Sequence, residues 1–221
     1  NRYQQTIKEL EQQNAIEKER LRISRDLHDD LGAGLSLILL NTSLAQQKAD
    51  DRKYVESYLF KISKNTKDLF DNLNNLIWLL KQENQSLDNL FSKIREVISD
   101  AFSEAFDNYA IQLPENCKDI TICREACRNI FLIIKEASNN AIKHSHASFI
   151  QLKADIDSEQ VIFQIMDNGK GFDIQSIRHG SNGLNNMKSR TEALNGHFSI
   201  ETHENQGTTL VIKIPLKSLM P

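Results

Sequence analysis

Proline is scarce, three in 221 residues, and none falls between Gln4 and Ala49, where glycine occurs only at 32 and 34. Nothing else in that span interrupts a helix, so one long helix is the economical reading. No window approaches about 18 consecutive apolar residues, and no charged-then-apolar segment opens the chain, so a soluble piece is expected. Positive charge is not in excess either: 27 Lys and Arg stand against 30 Asp and Glu, a formal net charge of −3. A chain without a basic face is a poor direct ligand for nucleic acid. Cysteine is limited to Cys117, Cys123 and Cys127, an odd number with no CxxC pair and no matching histidine set. That argues against a zinc site and for reduced cytosolic thiols.

What is present is apolar periodicity. With 39% hydrophobic residues the chain has enough for a real core. It opens at Asn1, without methionine and inside a polar helical pattern, so a longer protein is expected upstream. A heptad register places Ile7, Asn14, Leu21, His28 and Leu35 at a, and Leu10, Glu17, Ser24, Leu31 and Ile38 at d. Asparagine at an a position suits a parallel dimeric lead-in over residues 1–20. After the polar run QQKADDRK, residues Val55, Tyr58, Leu59, Ile62, Thr66, Leu69, Leu73, Leu76, Ile77 and Leu80 repeat at three and four, a second long helix. Two long helices joined by a short loop predict an antiparallel hairpin, and its apolar face predicts dimerisation into a four-helix bundle.

The polar stretch 81–89 marks a domain boundary, with the hairpin over 21–82 and a second domain over 83–221. Helices are expected from Leu87 to Phe106, from Thr121 to about His144 and from Gly183 to Leu194. Strands are expected at Ile111 to Leu113, Ser148 to Ile156, Val161 to Met166, and in HFSIET and TTLVIKIP. The pattern predicts an α/β sandwich with helices on one face of a mixed sheet.

Three stretches of this domain carry polar chemistry. MDNGKGFD, residues 166–173, follows a strand, where a ligand loop belongs; read alone it is equally a tight turn needing positive φ. Ile174 stands where a dinucleotide fingerprint needs its third glycine, and Arg178 where an EF-hand needs its glutamate. Glu136 and Asn140 share one helical face, with Lys143 and His144 one turn later; a solvated polar face is the plain alternative. An amide oxygen there suits Mg²⁺ and a lysine suits phosphate. HGSNGLNNMKSR reads as a lid running into a helix N-terminus, or as an ordinary loop. Gly207, Thr208 and Thr209 open the last strand.

Taken in order, ExxxN with KH, DNGKGFD, GSNGLNNM and GTTL resemble the nucleotide-binding boxes of the histidine-kinase-type ATP-binding fold, the Bergerat or GHKL type. ERLRISRDLHDDLG and IWLLKQENQSLDNL resemble the phosphoacceptor and dimerisation segment of histidine kinases similar to the nitrate and membrane-fluidity sensors. The resemblance implies ATP and Mg²⁺ as cofactors. It implies Asp167 at the adenine amino group, with Gly169 and Gly171 shaping the pocket and Thr208 and Thr209 beside it. It implies Asn140 at Mg²⁺, Lys143 and His144 at the phosphates, Gly183 and Leu184 at the lid, His28 as phosphoacceptor and Asp29 as its base or orienting carboxylate. Glu136 stands where ATP-hydrolysing relatives keep a water-activating carboxylate. A homodimer, a response-regulator receiver domain as partner and bacterial inner-membrane anchoring through an upstream segment are implied as well.

Ala33 stands where relatives that dephosphorylate their partner often carry glutamine, which puts phosphatase activity in question. Two rivals remain open at this point: ATP hydrolysis on the same fold, and a dimeric scaffold that binds nucleotide without turnover. Leu27 and Leu31 are expected to hold the bundle together, while Gly32, Ala33 and Gly34 leave room on a continuous helix for a docking domain.

Overall fold

A computed structural model describes residues 31–32, 34–80, 86–115, 117, 120–173 and 182–220. His28, Asp29, Ala33, the lead-in over 1–20 and most of the expected lid lie outside the described residues. Contacts divide the chain into two compact units, Asn1–Trp78 and Leu79–Pro221.

In the first unit, residues 31, 32 and 34–47 are helical, the latter stretch being α1, and a turn at 48–50 leads into α2, Arg52–Leu80. Helical residues thus stand on both sides of position 33. Asp51 begins α2 by accepting the Tyr54 N–H on its carboxylate at 3.1 Å, the bond that an N-terminal cap supplies. Lys48 stands 4.7 Å over the Tyr54 ring, Tyr54 lies 4.7 Å from Tyr58, and Lys61 stands 4.3 Å over Tyr58, so each ring of the pair meets a cation.

The two glycines differ. A Cβ on Gly32 would meet nothing within 4 Å, whereas one on Gly34 would stand 2.7 Å from Leu69 Cδ1. The expectation that both leave room for a docking domain is corrected for Gly34, which lets α1 approach α2. Leu35, Leu37, Leu39 and Leu40 of α1 and Leu59, Phe60, Phe70 and Ile77 of α2 remain largely exposed.

The second unit is a helix layer on a five-stranded mixed sheet. Helix α3, Leu87–Ala105, is capped by Ser86, whose side chain accepts the Asn89 N–H at 3.2 Å. It buries Leu87, Leu90, Phe91, Ile94, Ile98 and Phe102, a three-and-four stripe. Helix α4, Arg124–His144, is capped by the Cys123 thiol and buries Ile130, Phe131, Ile133 and Ile134. Helix α5 spans Asn182–Ala193. The strands are β1 Asn108–Gln112, β2 Phe149–Ile156, β3 Gln160–Asp167, β4 His197–Thr202 and β5 Thr208–Pro215. Their order is β1-β2-β3-β5-β4, with β1 parallel to β2 and every other pair antiparallel. Alternation along β2 and β3 sends Ile150, Leu152, Val161, Phe163 and Ile165 to the helix side, where Phe91 meets Phe163 edge-on at 5.9 Å.

Two boundaries move from the sequence expectation by more than one residue. Strand β1 lies at 108–112 rather than 111–113, because its register is set by the parallel partner, Asn108 against Phe149 through Gln112 against Lys153. Helix α4 begins at Arg124 rather than Thr121, because the Cys123 N–H donates to the Leu219 carbonyl at 2.6 Å and holds the chain extended up to the cap.

Candidate functional site

Glu136, Asn140 and His144 recur every fourth residue and so form one stripe on the last turns of α4. Opposite that stripe β3 ends at Asp167, and the chain turns sharply. Asn168 ties the turn to the start of β2: its Oδ1 accepts the Ser148 and Phe149 N–H groups at 3.0 and 2.9 Å. The Gly169 N–H donates to Asp167 Oδ1 at 2.9 Å, and the Lys170 N–H donates to the Ser145 carbonyl at 2.8 Å. A Cβ on Gly169 would overlap that carbonyl oxygen and stand 2.7 Å from its carbon, so the loop reaches the end of α4 only with glycine there. Gly171 has φ of 57°, a left-handed value that glycine adopts without strain, and its backbone passes against His203 and Gly207.

Between α4, the loop after β3, the start of α5 and the ends of β4 and β5 lies a cavity of about 420 Å³. Glu136, Asn140 and His144 line one wall and Asp167, Gly171 and Thr208 another, with Gly183 and Leu184 bordering it from α5. Ile165, Met187, Ile200 and Leu210 make an apolar floor. Asp167 is buried, and burial raises its carboxyl above the usual 3.8, opposed by the Gly169 and Thr208 N–H groups that stabilise the carboxylate. An ionised acceptor at the end of an apolar slot suits a flat ring bearing an amino group. Among the described residues no cluster of three or more His, Cys, Asp and Glu side chains is arranged to hold a metal by itself. A cation here would need oxygens from a bound ligand beside Asn140.

Eight of the residues singled out in the sequence thus meet at one cavity: Glu136, Asn140, His144, Asp167, Gly171, Gly183, Leu184 and Thr208. Gly169 lies behind the wall against Ser145. Lys143 is exposed and not part of the lining, and Thr209 pairs with Met166 and Glu201, where strand alternation turns it to the other face. Lys170, Phe172 and Met187 line the cavity without having been anticipated. Lys170 was legible only as the residue between two glycines, and Met187 only as part of a helix. The cysteines are free thiols away from the lining, and burial pushes Cys127 up to about 12.

Residues 125–218 match the family described as histidine kinase-, DNA gyrase B- and HSP90-like ATPase, and residues 19–86 match the histidine kinase family HisKA_3. The sensor histidine kinase LiaS of Bacillus subtilis is 26% identical over 203 residues, covering 92% of this chain and 56% of LiaS. The histidine-protein kinase/phosphatase DegS of Brevibacillus brevis is 28% identical over 206 residues, covering 91% of this chain and 52% of DegS. The chain thus spans about half the length of these curated relatives. Among solved structures, the histidine kinase domain of a blue-light activated kinase from Erythrobacter litoralis shares the fold at TM-score 0.56 and 15% identity, over 84% of this chain and 95% of that one.

Proposed function

The chain belongs to the two-component sensor histidine kinases of the HisKA_3 type, and we propose that it transfers the γ-phosphoryl group of ATP to His28 and from there to an aspartate of a response-regulator receiver domain. The observation that carries this reading is the single cavity gathering Glu136, Asn140, His144, Asp167, Gly183 and Thr208. Its size and apolar floor fit a purine, with Asp167 receiving the amino group. The amide and carboxylate of Asn140 and Glu136 stand beside Gly183, on the side assigned to the phosphates.

Asn140 is the residue that would hold Mg²⁺, which would supply neutralisation of charge on the transferring group. His144 adds a donor on the same wall, and Lys143 lies next to it in sequence at the exposed end of α4. His28 attacks the γ-phosphorus through a ring nitrogen that holds a lone pair when the imidazole is neutral; an ordinary imidazole titrates at about 6.5. The bond from that phosphorus to the bridging oxygen breaks and ADP departs. Asp29 takes or stabilises the proton on the other nitrogen. Glu136 serves as an orienting carboxylate beside Asn140.

A homodimer is supported by the exposed leucines of α1 and the exposed Leu59, Phe60, Phe70 and Ile77 of α2, which a four-helix bundle would cover. No helix among the described residues is long and apolar enough to cross a membrane. Incubation with γ-labelled ATP and Mg²⁺ tests the reading. Acid-labile, alkali-stable label that disappears in His28→Ala is expected; sustained phosphate release indifferent to His28→Ala would contradict it.

A further inference from the structure

Asp167, Thr208 and Thr202 form a row across three adjacent strands, Asp167 opposite Thr208 between β3 and β5, and Thr208 opposite Thr202 between β5 and β4. Asp167 and Thr208 line the cavity; Thr202 does not, and is buried at 7% exposure behind them. Its hydroxyl has three neighbours at hydrogen-bonding distance. The Phe172 N–H lies at 3.1 Å and is only a donor. The Gly207 carbonyl lies at 3.1 Å and is only an acceptor. The Thr208 hydroxyl lies at 3.1 Å and is able to do either.

A threonine hydroxyl has one proton and two lone pairs. Thr202 must accept from Phe172, and the one proton it owns is required by Gly207, whose carbonyl has no other role at that contact. All three contacts are hydrogen bonds in one arrangement alone: Thr208 donates its proton to Thr202. With that proton turned away from the cavity, the Thr208 oxygen offers the cavity lone pairs only. Asp167 beside it, already accepting the Gly169 and Thr208 N–H groups, offers lone pairs as well.

We infer that Thr202 is a positioning residue that sets the hydrogen-bond polarity of the cavity wall, holding Thr208 as an acceptor beside Asp167 so that the wall receives a 6-aminopurine and rejects a 6-oxopurine. The inference rests on the nucleotide reading of the cavity and adds to it the group that fixes base selectivity. A 6-amino group brings protons to a row of lone pairs. A 6-oxo group brings a further lone pair, and no proton on the wall can turn to meet it while Thr202 holds the one on Thr208.

The test is calorimetric titration of the full chain with ADP and IDP, which undergo no phosphoryl transfer and differ at the 6-position of the base and in the proton that IDP carries on N1. The wild-type chain prefers ADP. Thr202→Val frees the Thr208 proton to turn toward an oxo group, so the ADP/IDP preference falls by about three- to tenfold, the worth of one hydrogen bond. Thr202→Ser restores it. A role confined to folding would weaken both nucleotides alike, and an unchanged ratio in Thr202→Val overturns the inference. If Thr202→Val does not fold, Thr208→Val carries the same expectation of a reduced ratio, and an unchanged ratio there overturns it equally. Failure of the wild-type chain to bind either diphosphate removes the nucleotide reading and this inference together. A wild-type preference for ADP that survives Thr202→Val removes only the inference.

Discussion

Gly183 of α5 lies against the Glu136 side chain of α4 so closely that a methyl group on it would overlap Glu136 Oε1 and stand 3.5 Å from Asn140 Nδ2. The approach of α5 to α4 is thus bounded by the two side chains assigned to the phosphate end of the cavity. Gly183→Ala meets the far end of a flexible side chain rather than backbone, so the fold is expected to survive while Glu136 and Asn140 are displaced. Thermal unfolding should move little, and His28 phosphorylation should fall by about 10- to 100-fold, the usual consequence of misplacing a reacting group by about 1 Å.

Asp167 separates binding from stability. Its carboxyl titrates above 3.8 in the folded chain because of burial, so between 3.8 and that raised value the native state holds the proton more tightly than the unfolded state. Stability from this group is therefore greatest at low pH and is lost as pH rises through the window. At neutral pH the buried charge works against folding. Asp167→Asn, measured by calorimetry at pH 7, should unfold no earlier than the wild-type chain, yet bind ADP about 10- to 100-fold more weakly for want of a charged acceptor. Equal ADP affinity in the two proteins would remove Asp167 from the base site.

Gly169→Ala has a different signature from Gly183→Ala, because the obstacle is the Ser145 backbone carbonyl, which has no rotamer to give. Either the loop after β3 or the end of α4 must shift. We expect the unfolding temperature to drop by about 5–10 °C, in line with about 2–3 kcal/mol of backbone strain in a unit of this size.

Gly32 and Gly34 should also part company. Alanine is favoured over glycine in a helix by about 1 kcal/mol. Gly32→Ala meets nothing within 4 Å and should gain most of that. Gly34→Ala meets Leu69 Cδ1 at 2.7 Å and should gain less or lose. Urea unfolding of the two variants, followed by circular dichroism, gives the order; a larger gain at Gly34 would mean that α1 does not pack on α2 there.

The sequence carried the parts whose signal is local. The stripe Glu136, Asn140, His144 follows from helical spacing, and Asp167 with its two glycines follows from a strand running into a turn. Strand β1 did not: Asn108 and Tyr109 are exposed, and only pairing with Phe149 and Ile150 makes them strand. Thr202 was equally hidden, since a threonine at the end of a strand acquires its role through Thr208, six residues on, across a ladder no local pattern describes. Lys143 and Thr209 are the converse, residues singled out for their type and sequence neighbours, which the helix end and the strand alternation turn away from the cavity lining.

The central claim is that this cavity supplies His28 with a phosphoryl group, and direct localisation of that group tests it. The chain is incubated with ATP and Mg²⁺, quenched in alkali and digested, and the phosphorylated peptide is sequenced by mass spectrometry. The account predicts phosphate on His28, absent from His28→Ala and from Asn140→Asp. Phosphate on another residue, or ATP consumed with none on His28, would contradict it.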